Sequence, residues 1–186
     1  MIISIIIIFL GLLGSAFISA TEVAFVGSRI YRIRHLADNG DRNARAVLSI
    51  LEKHDKLFGT LLLVGNLFNI MVASVGTTLA ITTIGNGQPN VFSTIIATAI
   101  STILVVIVGE LTPTALVVSI AEKWSLKTAK IILFIMLITR PIVWALVLFP
   151  RGIEKLFKNK HSDSQPMVTT GELRTLIDLG EEEGTV

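Results

Sequence analysis

From Leu57 to Gly109 the chain carries no charged side chain. A soluble domain places charge at about one residue in four, so a stretch this long cannot lie along a water-facing surface. At about 1.5 Å per helical residue it is long enough to cross a hydrocarbon layer of about 30 Å twice. The uncharged segment "GNGQPN", Gly85 to Asn90, supplies a turn between the two crossings. Overall composition agrees, with 52% hydrophobic and only 16% charged residues in 186. The fold class this implies is an all-α integral membrane protein.

Several classes of function are excluded by what is missing. There is no cysteine, so neither a disulfide framework nor a thiolate metal site can form. His35, His54 and His161 fit no zinc spacing. The net charge of +2 does not point to a nucleic-acid partner. No catalytic constellation is present, and the expectation is that the protein is not an enzyme.

The first apolar run spans Ile2 to about Val26. No basic segment precedes it and it is too long for a signal-peptide core, so it reads as a span. The other two spans run over about 57–84 and 91–120. Between the first and second lies an Arg- and Lys-rich stretch, Ser28 to Lys56. Its apolar residues recur at helical spacing on either side of Asn39-Gly40: Ile30, Ile33, Leu36 and Ala37, then Ala44, Val47, Leu48 and Leu51. Two short amphipathic helices on the membrane surface are expected there. Basic residues return in "EKWSLKTAK", Glu122 to Lys130. The positive-inside rule makes both basic stretches cytoplasmic and places Met1 and the "GNGQPN" turn outside.

The apolar run Ile131 to Phe149 is long enough to span, but spanning would put the basic Arg151–Lys160 segment outside. With Arg140-Pro141 near its middle, it reads as a bent helix or helix pair, lying at the cytoplasmic interface or half inserted. The interfacial segments are thus about 28–56 and 124–158, and Trp124 and Trp144 suit an interfacial belt. The tail "TTGELRTLIDLGEEEGTV" opens like a capped helix and ends in an acidic cluster. Residues 161–186 read as the start of a cytosolic domain that is cut short.

Polar residues recur at one depth. Asn66 and Glu110 each lie about ten residues, roughly 15 Å, from the cytoplasmic end of their spans. Ser15, Ser19 and Glu22 form one stripe on the first span, and Asn66 and Asn69 are three residues apart on the second. A carboxylate in the bilayer costs about 2.5–3.5 kcal/mol on insertion scales, and Glu110 lies three residues before Pro113. A proline lacks an N–H, so the carbonyl of Gly109 loses its helical partner. That carbonyl, the Glu110 carboxylate, the amide oxygens of Asn66 and Asn69 and the Ser19 hydroxyl make an all-oxygen set. Such a set suits a hard cation such as Mg²⁺. Each residue also has a plainer reading. Pro113 is tolerated as a kink, the asparagines and serine serve as interhelical hydrogen-bond glue, and the glutamates are protonated and hydrogen-bonded.

The segments "SAFISATEVAF" (Ser15 to Phe25), "RIRHLADNGDRNARAVLSILEKHDKLFGTLLLVGNLFNI" (Arg32 to Ile70) and "GELTPTAL" (Gly109 to Leu116) resemble the transmembrane domain of the CorC/CNNM magnesium transporters. The likeness covers about Gly11 to Gly184. The resemblance implies a homodimer with three membrane helices and a cytoplasmic juxtamembrane helical belt per subunit. Residues 1–160 would form that domain, in the cell (inner) membrane, with the N-terminus outside and the C-terminus cytoplasmic. Residues 161–186 would begin an acidic helical bundle, followed in the family by paired CBS modules that bind ATP and are absent here. The resemblance implies Mg²⁺ export from an inward-facing cavity, with Na⁺ exchange in some members, and carries over Ser19, Asn66, Asn69, Gly109 and Glu110 as ion ligands. Thr21 stands where the family has a second serine, and Thr114 where it has lysine. A membrane sensor or anchor for a nucleotide-binding cytosolic part, transporting nothing, is the alternative.

Overall fold

The computed structural model describes residues 1–83 and 91–157. The "GNGQPN" turn and the acidic tail therefore lie outside the described residues. All packing described here is within Met1–Val147. Among the described residues every regular element is helical.

Helix α1 (Ile2–Gly27) is the first span. Two short helices follow, α2 (Ile30–Asp38) and α3 (Arg42–Leu51). Gly40 sits between them at φ +93°, in the left-handed region that a side chain rarely adopts. Asp41 caps α3, its carboxylate accepting the N–H of Asn43 at 2.7 Å and of Ala44 at 3.3 Å. Helix α4 (His54–Thr83) is the second span. Helix α5 (Val91–Leu104) passes into a π-helical turn (Val105–Leu111), then α6 (Thr112–Val117) and a tightened 3₁₀ turn (Val118–Ile120). Helix α7 (Ala121–Phe157) follows without a loop.

Three helical stretches are long and apolar enough to cross a membrane: Ile2–Gly27, His54–Thr83 and Val91–Leu146. Their outward faces carry Ile5, Phe9 and Leu13 on α1, and Leu62, Leu67 and Ile70 on α4, all exposed. In water this would be a far larger apolar surface than a soluble monomer shows; in lipid it is the solvated face. The break anticipated between 120 and 124 is only the 3₁₀ turn, because Glu122 and Lys123 are good helix formers and no glycine or proline intervenes. Nor does Pro141 divide the next segment into two helices; α7 continues through it.

The spans approach closely where side chains are smallest. A Cβ built on Gly11 would lie 2.6 Å from Val72 Cγ2, and one on Gly14 would lie 2.5 Å from the Phe68 ring. On Gly65 it would meet Ile18 Cγ2 at 3.4 Å. These contacts define an antiparallel register of α1 and α4. Continued along the helices, it sets Ser28 level with Asp55 and Thr60 level with Val23.

The tightest apolar core sits at the charged end of this bundle. Phe25 of α1, Ile33 of α2, Val47 and Ile50 of α3, Leu57 and Leu61 of α4, and Ala129 and Ile132 of α7 are all buried in one cluster. Ile30 was expected in the apolar face of α2 but is exposed. Helix α7 is tied at two places. The Ser28 and Ser125 hydroxyls share a hydrogen bond of 2.8 Å, and those of Thr60 and Thr139 lie 3.3 Å apart. Near the first tie Trp124 donates its indole N–H to Thr21 Oγ1 at 3.2 Å, and the Arg32 guanidinium pairs with Glu122 at 3.2 Å.

Gly14→Leu should force α1 and α4 apart and lower stability by about 1–3 kcal/mol, the usual cost of overpacking. Adding Phe68→Ala should recover part of the loss. Thermal unfolding of the purified protein in detergent measures both.

Candidate cation site

Midway along α1, Ser15 is almost wholly buried, with 1% of its surface exposed. Its hydroxyl donates to Asn69 Oδ1 at 2.7 Å. The same hydroxyl lies 3.5 Å from the backbone oxygen of Gly109, a long contact. The amide nitrogen of Asn69 donates to Glu110 Oε1 at 2.9 Å. A carboxylate only accepts, so the Asn69 nitrogen must face Glu110 and its oxygen is left for Ser15. Three spans are joined by this one chain of hydrogen bonds.

Glycine at 109 is what admits α1. A Cβ there would lie 2.9 Å from Ser15 Oγ and 3.2 Å from Ser15 Cβ. The backbone around it is π-helical, and the N–H of Thr112 reaches back five residues to the carbonyl of Ile107. Pro113 occupies the first turn of α6. It cannot donate to the carbonyl of Gly109, and its ring would crowd that carbonyl in a regular α-helix. Widening the turn by one residue relieves the crowding and turns the Gly109–Glu110 backbone toward α1. Such π turns recur at functional sites.

Of the residues expected as ligands, Asn69, Gly109 and Glu110 are brought together. Ser19 and Asn66 are not bonded to them. Ser19 lies one turn from Ser15 toward the charged end, and Asn66 one turn from Asn69 in the same direction. Ser19 is half-buried and Asn66 exposed, and neither makes a hydrogen bond among the described residues. Glu22, further along the same stripe of α1, is exposed. Ser15 belonged to that stripe but not to the expected ligand set; the structure puts it at the centre. Among the described residues no group of three or more His, Cys, Asp or Glu converges. The cluster therefore offers one carboxylate and several neutral oxygens.

The family model for the cyclin M (CNNM) transmembrane N-terminal domain matches residues 5–186. The chain belongs to the CNNM family. It is 26% identical over 172 residues to a UPF0053 protein of Haemophilus influenzae, covering 92% of this chain and 40% of that one. It is 28% identical over 168 residues to the UPF0053 inner membrane protein YfjD of Escherichia coli, covering 88% of this chain and 37% of the relative. The UPF0053 protein sll1254 of Synechocystis is 28% identical over 179 residues, covering 96% and 49%. The chain thus spans half or less of the length of these relatives. Family and helices together make it a multi-pass membrane protein.

Asn69→Ala should leave Ser15 with only its long contact to Gly109 and take the donor from half-buried Glu110, at a cost of about 1–3 kcal/mol. Asn66→Ala removes no hydrogen bond and should stay within about 0.5 kcal/mol of the parent. Parallel unfolding measurements in detergent compare the two.

Proposed function

We propose that this domain carries Mg²⁺ out of the cytosol through the Ser15–Asn69–Gly109–Glu110 cluster. The observation that carries the reading is the hydrogen-bonded chain from Ser15 through Asn69 to Glu110, joining three spans beside the π turn. Mg²⁺ requires about six oxygen ligands in near-octahedral array. The Glu110 carboxylate supplies the charge. Ser15 Oγ, Asn69 Oδ1 and the Gly109 carbonyl supply neutral oxygens once the Ser15 hydroxyl proton rotates away from Asn69. Ser19 and Asn66, one turn nearer the charged end and without partners among the described residues, complete the set or strip water from the arriving ion. Substrate sites of many transporters lie at the same depth, at interrupted helices.

The charged end is the cytoplasmic end in this reading. The basic stretches Arg29–Lys56 and Lys123–Lys130 both lie there, as the positive-inside rule requires. The N-terminus is then outside, the C-terminus cytoplasmic, and the ion approaches from the inner side past Glu22 and Ser19. The cell (inner) membrane is the location we assign, in keeping with the name of the Escherichia coli inner membrane relative.

Helices α2, α3 and α7 form the juxtamembrane belt. Ser125 is level with the end of α1, whereas Thr139 pairs with Thr60, about five residues or 8 Å deeper in the register. Helix α7 covers about 21 Å between those two points, so it slopes at about 20° to the membrane plane. A homodimer is supported by Ser74 and Thr78, one turn apart on an exposed face of α4. Polar groups facing lipid are costly, and a second copy would cover them. Na⁺ exchange provides the driving force, and ATP acts only through a cytosolic domain beyond this one. No chemistry on a bound substrate is assigned; the protein is not an enzyme.

Glu110→Gln keeps the shape and removes the charge. Mg²⁺ affinity by calorimetry should fall at least about a hundredfold, since leaving a buried charge uncompensated costs about 3–5 kcal/mol. Pro113→Ala should let the helix return to regular bonding, withdraw the Gly109 carbonyl, and weaken binding by less. Wild-type calorimetric affinity in Glu110→Gln would place the site elsewhere, and absence of Mg²⁺ flux from proteoliposomes that do bind the ion would favour a sensing anchor over a transporter.

Orientation has its own test, since the chain has no native cysteine. A single cysteine at Lys123 should react with a membrane-impermeant maleimide only after the cells are opened. Labelling of intact cells would reverse the topology.

A further inference from the structure

Beyond Glu122 the next acidic residue of α7 is Glu154. In that interval the exposed face of the helix changes character along its length. Lys123, Lys127 and Lys130 fall at i, i+4 and i+7, on one stripe, and all three are exposed. None makes an ion pair or hydrogen bond among the described residues; the neighbouring Glu122 is taken by Arg32. The same stripe continues without a break as Phe134, Leu137 and Ile138, which are 62%, 64% and 60% exposed. The opposite face, with Ser125, Ala129, Ile132 and Val143, is buried against the bundle.

A solvated helix face mixes signs of charge, and a lipid-facing span is apolar throughout. This face is neither. Two turns carrying three uncompensated lysines lead into turns of bulky apolar side chain. The two ties place Ser125 at the bundle's charged end and Thr139 about 8 Å deeper. The lysines therefore stand at headgroup level and Phe134, Leu137 and Ile138 at the level of the upper acyl chains. We infer that the outer face of α7 binds anionic phospholipid, with phosphates at Lys123, Lys127 and Lys130 and acyl chains along Phe134 and Ile138. Charge complementarity selects the headgroup, since each lysine close to an anionic leaflet favours it about fivefold. The inference does not depend on the cation site or on transport.

Trp144, 63% exposed further along α7, reports on the lipid around it. Trp124 is partly buried against Phe17 and contributes a background. The full chain is reconstituted in mixed phosphatidylglycerol–phosphatidylcholine vesicles in which either one lipid or the other is brominated. Quenching should show a preference for phosphatidylglycerol of at least about fivefold, one lysine's contribution. The preference should weaken as salt rises. The triple variant Lys123→Gln/Lys127→Gln/Lys130→Gln should lose it while unfolding at the parent's temperature, since glutamine and lysine have similar helix propensity. Lys53→Gln/Lys56→Gln, on α4's approach, should keep it. Equal quenching by the two lipids in the wild type would overturn the proposal. So would a triple variant that retains the preference. A triple variant that loses stability equally in pure phosphatidylcholine would assign the lysines to a protein contact instead, and would also overturn it.

Discussion

A proline in a membrane helix strands a carbonyl where no bulk water can satisfy it. Pro113 removes the donor that the Gly109 carbonyl would have in a regular α-helix, and the local arrangement accommodates that change. The helix widens into a π turn. Gly109, lacking a side chain, lets α1 close in until Ser15 Oγ stands 3.5 Å from its backbone oxygen. Ser15 in turn is held by Asn69, and Asn69 by Glu110. An oxygen that would be a liability in a regular helix thus becomes part of a polar network reaching all three spans. Such networks rigidify when every member is satisfied, and among the described residues no buried side-chain polar atom lacks a partner.

The close approach depends on a second condition, the small residues along the facing helices. Gly11 and Gly14 seat Val72 and Phe68, and Gly76 lies directly against the Ser101 hydroxyl. Lipid tails are as apolar as leucine, so burial of oil alone does not drive helices together there. Fit does. The aqueous hydrophobic effect operates at the other end, where α2, α3 and α7 bury Ile33, Val47, Ile50 and Ile132 against the ends of α1 and α4. The molecule therefore joins two regimes of packing: small-residue contact and hydrogen bonds within the bilayer, and an ordinary apolar core at its charged edge.

What could be read from the sequence follows how local its cause is. The turn at Asn39-Gly40 and the cap at Asp41 are set by residues adjacent in the chain, and both α2 and α3 were legible. The spans were legible from apolar length. The choice between Ser15 and Ser19 was not. Both lie on the same stripe of α1, and which of them meets Asn69 is decided by the register against α4. That register rests on Gly11 finding Val72 and Gly14 finding Phe68, contacts between residues far apart in sequence. Similarly, Pro113 announced a disturbance, but a kink and a π turn leave the same mark in sequence. The drop in hydropathy after Ile120 looked like the end of an element, whereas the backbone only tightens for one turn and continues as α7.

Helix α7 is fastened to α1 through Ser28 and Ser125 and to α4 through Thr60 and Thr139. It is a strut between two pistons. If α1 and α4 slide past one another by one residue's rise, about 1.5 Å, a strut about 21 Å long must swing by about 4°. Such an axial displacement at the Ser15–Asn69 level would be converted into rotation at the membrane surface.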